Sequence, residues 1–147
     1  MSDRVFIDTN ILVYAHDAVA GRKYDIAARL VVDSWESQNA IISTQVLQEF
    51  YVTLTRKVSP QLTVERARDL IERYRLWEVV INDVDSVLRA TRIQEQFQLS
   101  FWDALIVDAA QTAECRLLYS EDLNHGQHFE SVQVRNPFVD PSRTSAN

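Results

Sequence analysis

Apolar residues fall along this chain in two rhythms, and the alternation between them predicts the fold. Short runs rich in β-branched and aromatic residues read as strands: RVFID at 4–8, AIIS at 40–43, VVI at 79–81, RLLYS at 116–120 and SVQV at 131–134. Between them, apolar positions recur every three or four residues, the spacing of one helix face. That spacing predicts helices over 9–17, 24–37, 44–58, 63–77, 83–97 and 99–110. Side-chain oxygens stand where such helices begin, at Ser43 or Thr44, Thr63, Asn82 or Asp83, and Ser100, each a suitable N-cap. The segment SPQLT breaks the chain after Val58. Short apolar strands alternating with helices are the pattern of a parallel sheet covered on both faces. The expectation is one α/β domain over 1–140, with a central parallel sheet of about four to five strands flanked by helices. A polar tail over 141–147 is expected to be disordered.

Composition narrows the function. Two glycines and three prolines in 147 residues disfavour a turn-rich all-β fold, and Gly21 and Gly126 stand too far apart for a phosphate-binding loop. The formal charge of −6 argues against a surface that is one basic nucleic-acid footprint, although metal ions can bridge acids to phosphates. Cys115 is the only cysteine, so no internal disulfide forms and a reducing cytoplasm is the expected location. It reads as a small core residue. The N-terminus lacks the apolar core of a signal peptide, and no apolar run approaches the ~18 residues of a membrane span.

The informative residues are acids. In LSFWDALIVDAA, Asp103 shares its helical face with Ile106, Val107 and Ala110, whereas Asp108 has Gln111 and Thr112 one turn on. A carboxylate buried alone is costly, and no cation near Asp103 is evident in the chain. Ligands of parallel α/β sheets bind beyond the carboxyl ends of the strands. Asp8 closes the first strand, Glu49 lies in the first turns of the helix after AIIS, Asp103 lies in the first turn of its helix, and Asp122 follows RLLYS. Each has a plainer explanation. Asp8 suits an N-cap, Glu49 a solvated helix face beside the stripe Val46, Leu47, Phe50 and Leu54, Asp103 the helix dipole, and Asp122 a turn. Jointly these explanations weaken, because all four acids fall where a ligand site would be. Converging carboxylates repel, and a hard divalent cation such as magnesium resolves that with oxygen ligands.

Other polar residues say less. His125 and His128 have zinc-like spacing but no further ligand set, and read as loop or surface residues, while His16 is uninformative. Arg22, Lys23, Arg56, Lys57, Arg66, Arg68, Arg73 and Arg75 read as solvated helix faces, some of which could line a phosphate track. Trp35, Trp77 and Trp102 read as core or interface residues, with Trp102 next to Asp103 able to reach a substrate base.

The ordered segments FIDTNILVY, STQVLQEFY, FWDALIVDAA and LYSEDLNHGQ resemble the PIN-domain family of ribonucleases, in particular the toxins of VapBC-type toxin–antitoxin pairs, from about residue 4 to about residue 138. The resemblance implies a parallel-sheet fold with an acidic pocket, Mg2+ or Mn2+, and hydrolysis of phosphodiester bonds in RNA. It places the family's acids at Asp8, Glu49, Asp103 and Asp122, as catalytic residues and metal ligands, with Asn10, Ser120 and Asn124 as polar helpers. Asp8 and Asp103 are then the principal ligands, and Asp103 faces inward because its partner is the metal. Asp108 is a structural bystander. Trp102 stands where the family more often has other residues, and Asn124 stands where some relatives carry another acid. A homodimer is implied, as is a protein antitoxin whose basic or apolar segment fills the pocket. Two other functions fit less well. An aspartyl-phosphate phosphatase would use Asp8 as nucleophile but would need a second acid where Asn10 stands. A non-catalytic module of the same fold that binds RNA or protein would not need the acids.

Overall fold

In the computed structural model, which describes residues 3–139, the elements follow the predicted alternation. The chain runs β1 (Val5–Ile7), α1 (Thr9–Tyr14), one turn of 3-10 helix (Ala18–Ala20), α2 (Arg22–Ser37), β2 (Ala40–Ser43), α3 (Thr44–Arg56), α4 (Val64–Tyr74) and β3 (Glu78–Val80). It continues through α5 (Val84–Phe97), α6 (Phe101–Thr112), β4 (Leu117–Tyr119), β5 (His128–Phe129) and β6 (Val132–Arg135). The tail expected at 141–147 lies outside the described residues. Ser43, Thr63, Asp83 and Ser100 each cap a helix, accepting a hydrogen bond from a main-chain N–H of its first turn.

The sheet has six strands in the order β3-β2-β1-β4-β6-β5. That is one more than the upper expectation, and the extra strand is β5, a two-residue antiparallel partner of β6. Two residues carry no periodicity, so pattern reading does not detect such a strand. All other pairings are parallel, with Val5 facing Ala40 on one side and Leu117 on the other. Every residue of β1 and β2 is buried, as expected of strands covered on both faces.

Helix α6 is buried from Ala104 through Ala110, which makes it a core helix. Helix α3 turns Val46, Phe50 and Leu54 into the core. An aromatic cluster of Trp35, Tyr74 and Trp77 covers part of α2, and the His16 ring packs edge-on against Phe50 and Tyr74. His16, uninformative in the sequence, is thus part of this aromatic cluster. Burial, and then Arg66 and Arg73, push its pKa down to about 4. Cys115 is buried, as expected of a core residue, and its thiol is pushed up to about 12 by burial. Among the described residues, no helix is long and apolar enough to cross a membrane.

The topology places the site. From β1 the chain moves outward to β2 and β3, then returns to lay β4 on the other flank of β1. The segments leaving β1 and β4 therefore part in different directions, and a crevice opens at the carboxyl ends of these two strands. Asp8 follows β1 directly. Ser120, Glu121 and Asp122 follow β4.

Candidate active site

Asp8 is the centre of the crevice. It is the N-cap of α1, and its Oδ1 accepts from the Thr9 main-chain N–H at 2.7 Å. Its Oδ2 accepts from the Ser120 hydroxyl at 2.8 Å, and Ser120 in turn accepts from the Asp122 main-chain N–H at 3.2 Å. The capping explanation for Asp8 thus holds, and the same carboxylate lines the crevice. A single fully buried serine ties the ends of β1 and β4 together through it.

The other acids stand around this centre. The Glu49 carboxylate, half-buried on α3, accepts from the Thr9 hydroxyl at 2.6 Å and from the Gln45 amide at 3.4 Å. Asp122, open to solvent at the rim, accepts from the Asn10 amide at 3.1 Å. Asp103 is half-buried in the first turn of α6, whose cap Ser100 accepts from its main-chain N–H at 3.1 Å. Asp8, Glu49, Asp103 and Asp122 line one cavity of about 380 Å³, together with Asn10, Gln45, Lys57 and Trp102. Among the described residues, none of the four carboxylates is in an ion pair.

Two expectations need correction. Asp103 is not the buried aspartate of α6. Asp108 is, with its side chain 3% exposed, and it has a cation: Arg89 Nε donates to it at 2.7 Å. Asp108 is structural, as expected, but the apolar stripe does not single out Asp103, because nearly the whole circumference of α6 is buried. Asn124 does not join the site. It is exposed, its carbonyl accepts from the Gln127 main-chain N–H in a turn, and it does not line the cavity.

Trp102 is 61% exposed at the cavity rim, unlike the buried Trp77. Three other contributors join the site in the fold, and of these only Lys57 was expected, as a cation able to line a phosphate track. Thr9 holds Glu49, Gln45 lies one helical turn before Glu49, and Lys57 ends α3 on the cavity wall. The four-residue spacing of Gln45 and Glu49 is the signal that could have found Gln45.

The electrostatics match the geometry. The Asp8 pKa is pushed up to about 7, chiefly by burial and further by the charges of Asp122 and Glu49, against the hydrogen bonds from Ser120 and Thr9. Asp122 is also raised, by partial desolvation and then by Asp103, Glu121 and Glu49, while Lys23 pulls it the other way. Lys23 reaches the site through Glu121, which it contacts at 2.8 Å and which also accepts from Tyr14 at 2.7 Å.

A raised carboxyl pKa stabilises the metal-free fold fully below the unfolded value, and that contribution is lost as pH climbs through the folded value. For Asp8 the loss runs from about pH 4 to about 7, with a slope of about 1.4 kcal/mol per pH unit at most. His16 acts with opposite sign below about pH 6.5, because its folded pKa is depressed. The wild-type curve therefore mixes the two, and the difference from Asp8→Asn isolates the aspartate. In metal-free buffer, Asp8→Asn should match wild type near pH 4 and exceed it by roughly 1 to 3 kcal/mol at pH 8. Equal melting temperatures for the two proteins at pH 8 would show that Asp8 is not held in a charge-disfavouring site.

The PIN-domain family model matches residues 5–128. The chain belongs to the PIN-domain family. Solved structures agree with this PIN domain in fold. VapC20 of Mycobacterium tuberculosis, described as a sarcin-ricin-loop-cleaving toxin, is 21% identical, with 79% of this chain and 88% of that chain covered and a TM-score of 0.60. FitAB bound to an IR36 DNA fragment contains a chain 16% identical, with coverages of 90% and 94% and a TM-score of 0.66. VapBC2 from Rickettsia felis, bound to a fragment of its promoter, contains one 18% identical, with coverages of 90% and 97% and a TM-score of 0.58. No curated protein matches significantly.

The donor set of this PIN domain fits a hard divalent cation by its chemistry, with carboxylate oxygens gathered in one cavity and two carboxyl pKa values raised by crowding and burial. Among the described residues, no three His, Cys, Asp or Glu side chains form a ready ligand cage. Glu49 is turned to Thr9 and Gln45, and Asp122 to Asn10. Magnesium does not require such a cage, since it keeps several waters and is commonly held by one or two carboxylates.

Proposed function

We propose that this PIN domain is an Mg2+- or Mn2+-dependent endoribonuclease, the toxin of a toxin–antitoxin pair. One observation carries the reading: four carboxylates from four separate segments line one crevice at the topological switch point, one of them buried and none of them ion-paired among the described residues. A buried carboxylate crowded by others is unfavourable unless a cation joins it. That VapC20 is described as a sarcin-ricin-loop-cleaving toxin supports an RNA substrate.

Asp8 and Asp103 would hold the ion, directly or through water, with Glu49 and Asp122 completing the shell. The bound ion would lower the pKa of a water and offset charge on the phosphate oxygens. Ser120 and the Thr9 N–H fix both oxygens of Asp8, so its carboxylate needs no reorganisation when substrate arrives. Thr9 holds Glu49 toward the same crevice, where a carboxylate can orient the attacking water. Lys57 on the cavity wall offers a cation to a neighbouring phosphate, and the exposed Trp102 ring offers a stacking face to an unpaired base.

The same reading includes two protein contacts. An antitoxin segment would cover the acidic cavity, in keeping with the complexes of FitAB and VapBC2. A homodimer is supported by exposed Ile81, Val84, Val87 and Leu88 at the start of α5, an apolar patch of the kind that marks interfaces. The molar mass in solution tests the dimer.

Melting in EDTA and in millimolar Mn2+ tests the metal. Binding should raise stability by about 2.7 kcal/mol at a hundred times Kd. Single-stranded or looped RNA should be cut only with the metal present, because unstacked strands can enter a recessed site. Phosphate monoesters should not be turned over. Monoester hydrolysis without RNA cleavage would favour the aspartyl-phosphate mechanism on Asp8. Absence of both activities and of any Mn2+ effect would favour a binding module.

A further inference from the structure

The side chain of Gln45 is buried at the wall of the acidic cavity, an unusual place for an amide on a helix that otherwise buries Val46, Phe50 and Leu54. Its Nε2 donates to the Trp102 carbonyl at 3.1 Å and to Glu49 Oε2 at 3.4 Å. Both partners are acceptors only, so the amide can face them solely with its nitrogen. This fixes its orientation and leaves Oε1 buried with no partner. The main chain at Gln45 is held as well. Its N–H donates to Asn82 Oδ1 at 3.1 Å, and the Thr44 hydroxyl donates to the same oxygen at 3.0 Å, so the loop before α5 pins the first turn of α3. The amide thus joins two otherwise separate parts of the site: the Glu49 carboxylate, and the first turn of α6 that carries Asp103.

We infer that Gln45 is a positioning residue of the acidic site, tying Glu49 to the Asp103-bearing turn of α6 through the two acceptors that its Nε2 bridges. The inference rests on the ribonuclease reading for its consequence, but not for its geometry. In that reading Gln45 contributes no ligand to the ion. It acts through Glu49 and through the spacing of α3 and α6.

The test compares wild type with Gln45→Met, which keeps the length of the side chain and removes both polar atoms, and with Gln45→Glu, which keeps the acceptors and removes the donor. In metal-free protein, NMR should find the Gln45 side-chain NH2 protons slow to exchange with solvent, and their resonances should move in Glu49→Gln. Gln45→Met should melt at or above the wild-type temperature in EDTA, since an unpartnered polar atom is gone. Its Mn2+ affinity by calorimetry should fall about 10- to 100-fold, the usual effect of removing a group that orients a ligand. The kcat for RNA should fall over the same range, with KM within about twofold. Gln45→Glu should fall at least as far, because a second carboxylate then faces Glu49 and the Trp102 carbonyl. Wild-type Mn2+ affinity and kcat in Gln45→Met would overturn the inference, as would fast exchange of the Gln45 amide protons. Slow exchange with no Mn2+ binding by the wild type would leave the tie between Gln45 and Glu49 standing and overturn the ribonuclease reading instead.

Discussion

An Asp103→Asn protein should cleave RNA roughly a hundred- to a thousandfold more slowly than wild type while keeping its stability in EDTA within about 1 kcal/mol. The two halves of this expectation have separate causes. Asn keeps the size of the side chain and removes the charge that helps hold a divalent ion, a contribution of several kcal/mol to the transition state. For stability, Asp103 gains about 0.3 to 1 kcal/mol as an acid in the first turn of α6. Against this, it repels Asp122, whose pKa it helps to raise. It is half-buried, and its cap is made by Ser100 through the main chain, which asparagine leaves in place. Melting temperature in EDTA and single-turnover cleavage in Mn2+ check the two halves on the same preparation. A destabilised protein that remains active would remove Asp103 from the metal site.

The opposite pattern is expected on the other side of α5 and α6. Arg89→Ala should destabilise the fold by roughly 3 to 5 kcal/mol, a drop of roughly 10 °C or more in melting temperature, with cleavage by the folded protein unchanged. Arg89 Nε and a second guanidinium nitrogen donate to the two oxygens of Asp108 at 2.7 and 3.3 Å. The guanidinium is 43% exposed and can return to water when the pair is broken, but Asp108 is 3% exposed and cannot. Removing the arginine therefore strands a buried charge, whereas Asp108→Asn strands none and should cost less. The double variant Arg89→Met/Asp108→Leu should recover most of the loss, because apolar replacement of a buried pair is often neutral or better. Neither residue lines the acidic cavity. A loss of kcat in Arg89→Ala without a fall in melting temperature would move the pair into the active site.

These two aspartates, five residues apart on one helix, mark the limit of sequence reading. The α/β class, the parallel sheet, the helix starts at Ser43, Thr63, Asp83 and Ser100, and the placement of Asp8, Glu49, Asp103 and Asp122 near strand ends were all legible in the chain. The reason is physical: strand and helix periods differ, caps are local, and in a parallel α/β sheet local position along the chain determines which edge a residue occupies. The family resemblance in the four motifs pointed to the same acids. Tertiary structure alone decided which carboxylate is buried with a cation and which faces the cavity, because α6 is enclosed on almost all sides and its apolar stripe no longer distinguishes inside from outside. It alone brought Gln45 and Thr9 to the site and left Asn124 outside it. Those outcomes depend on how α1, α3 and α6 approach one another across the crevice, a set of long-range distances that no local pattern encodes.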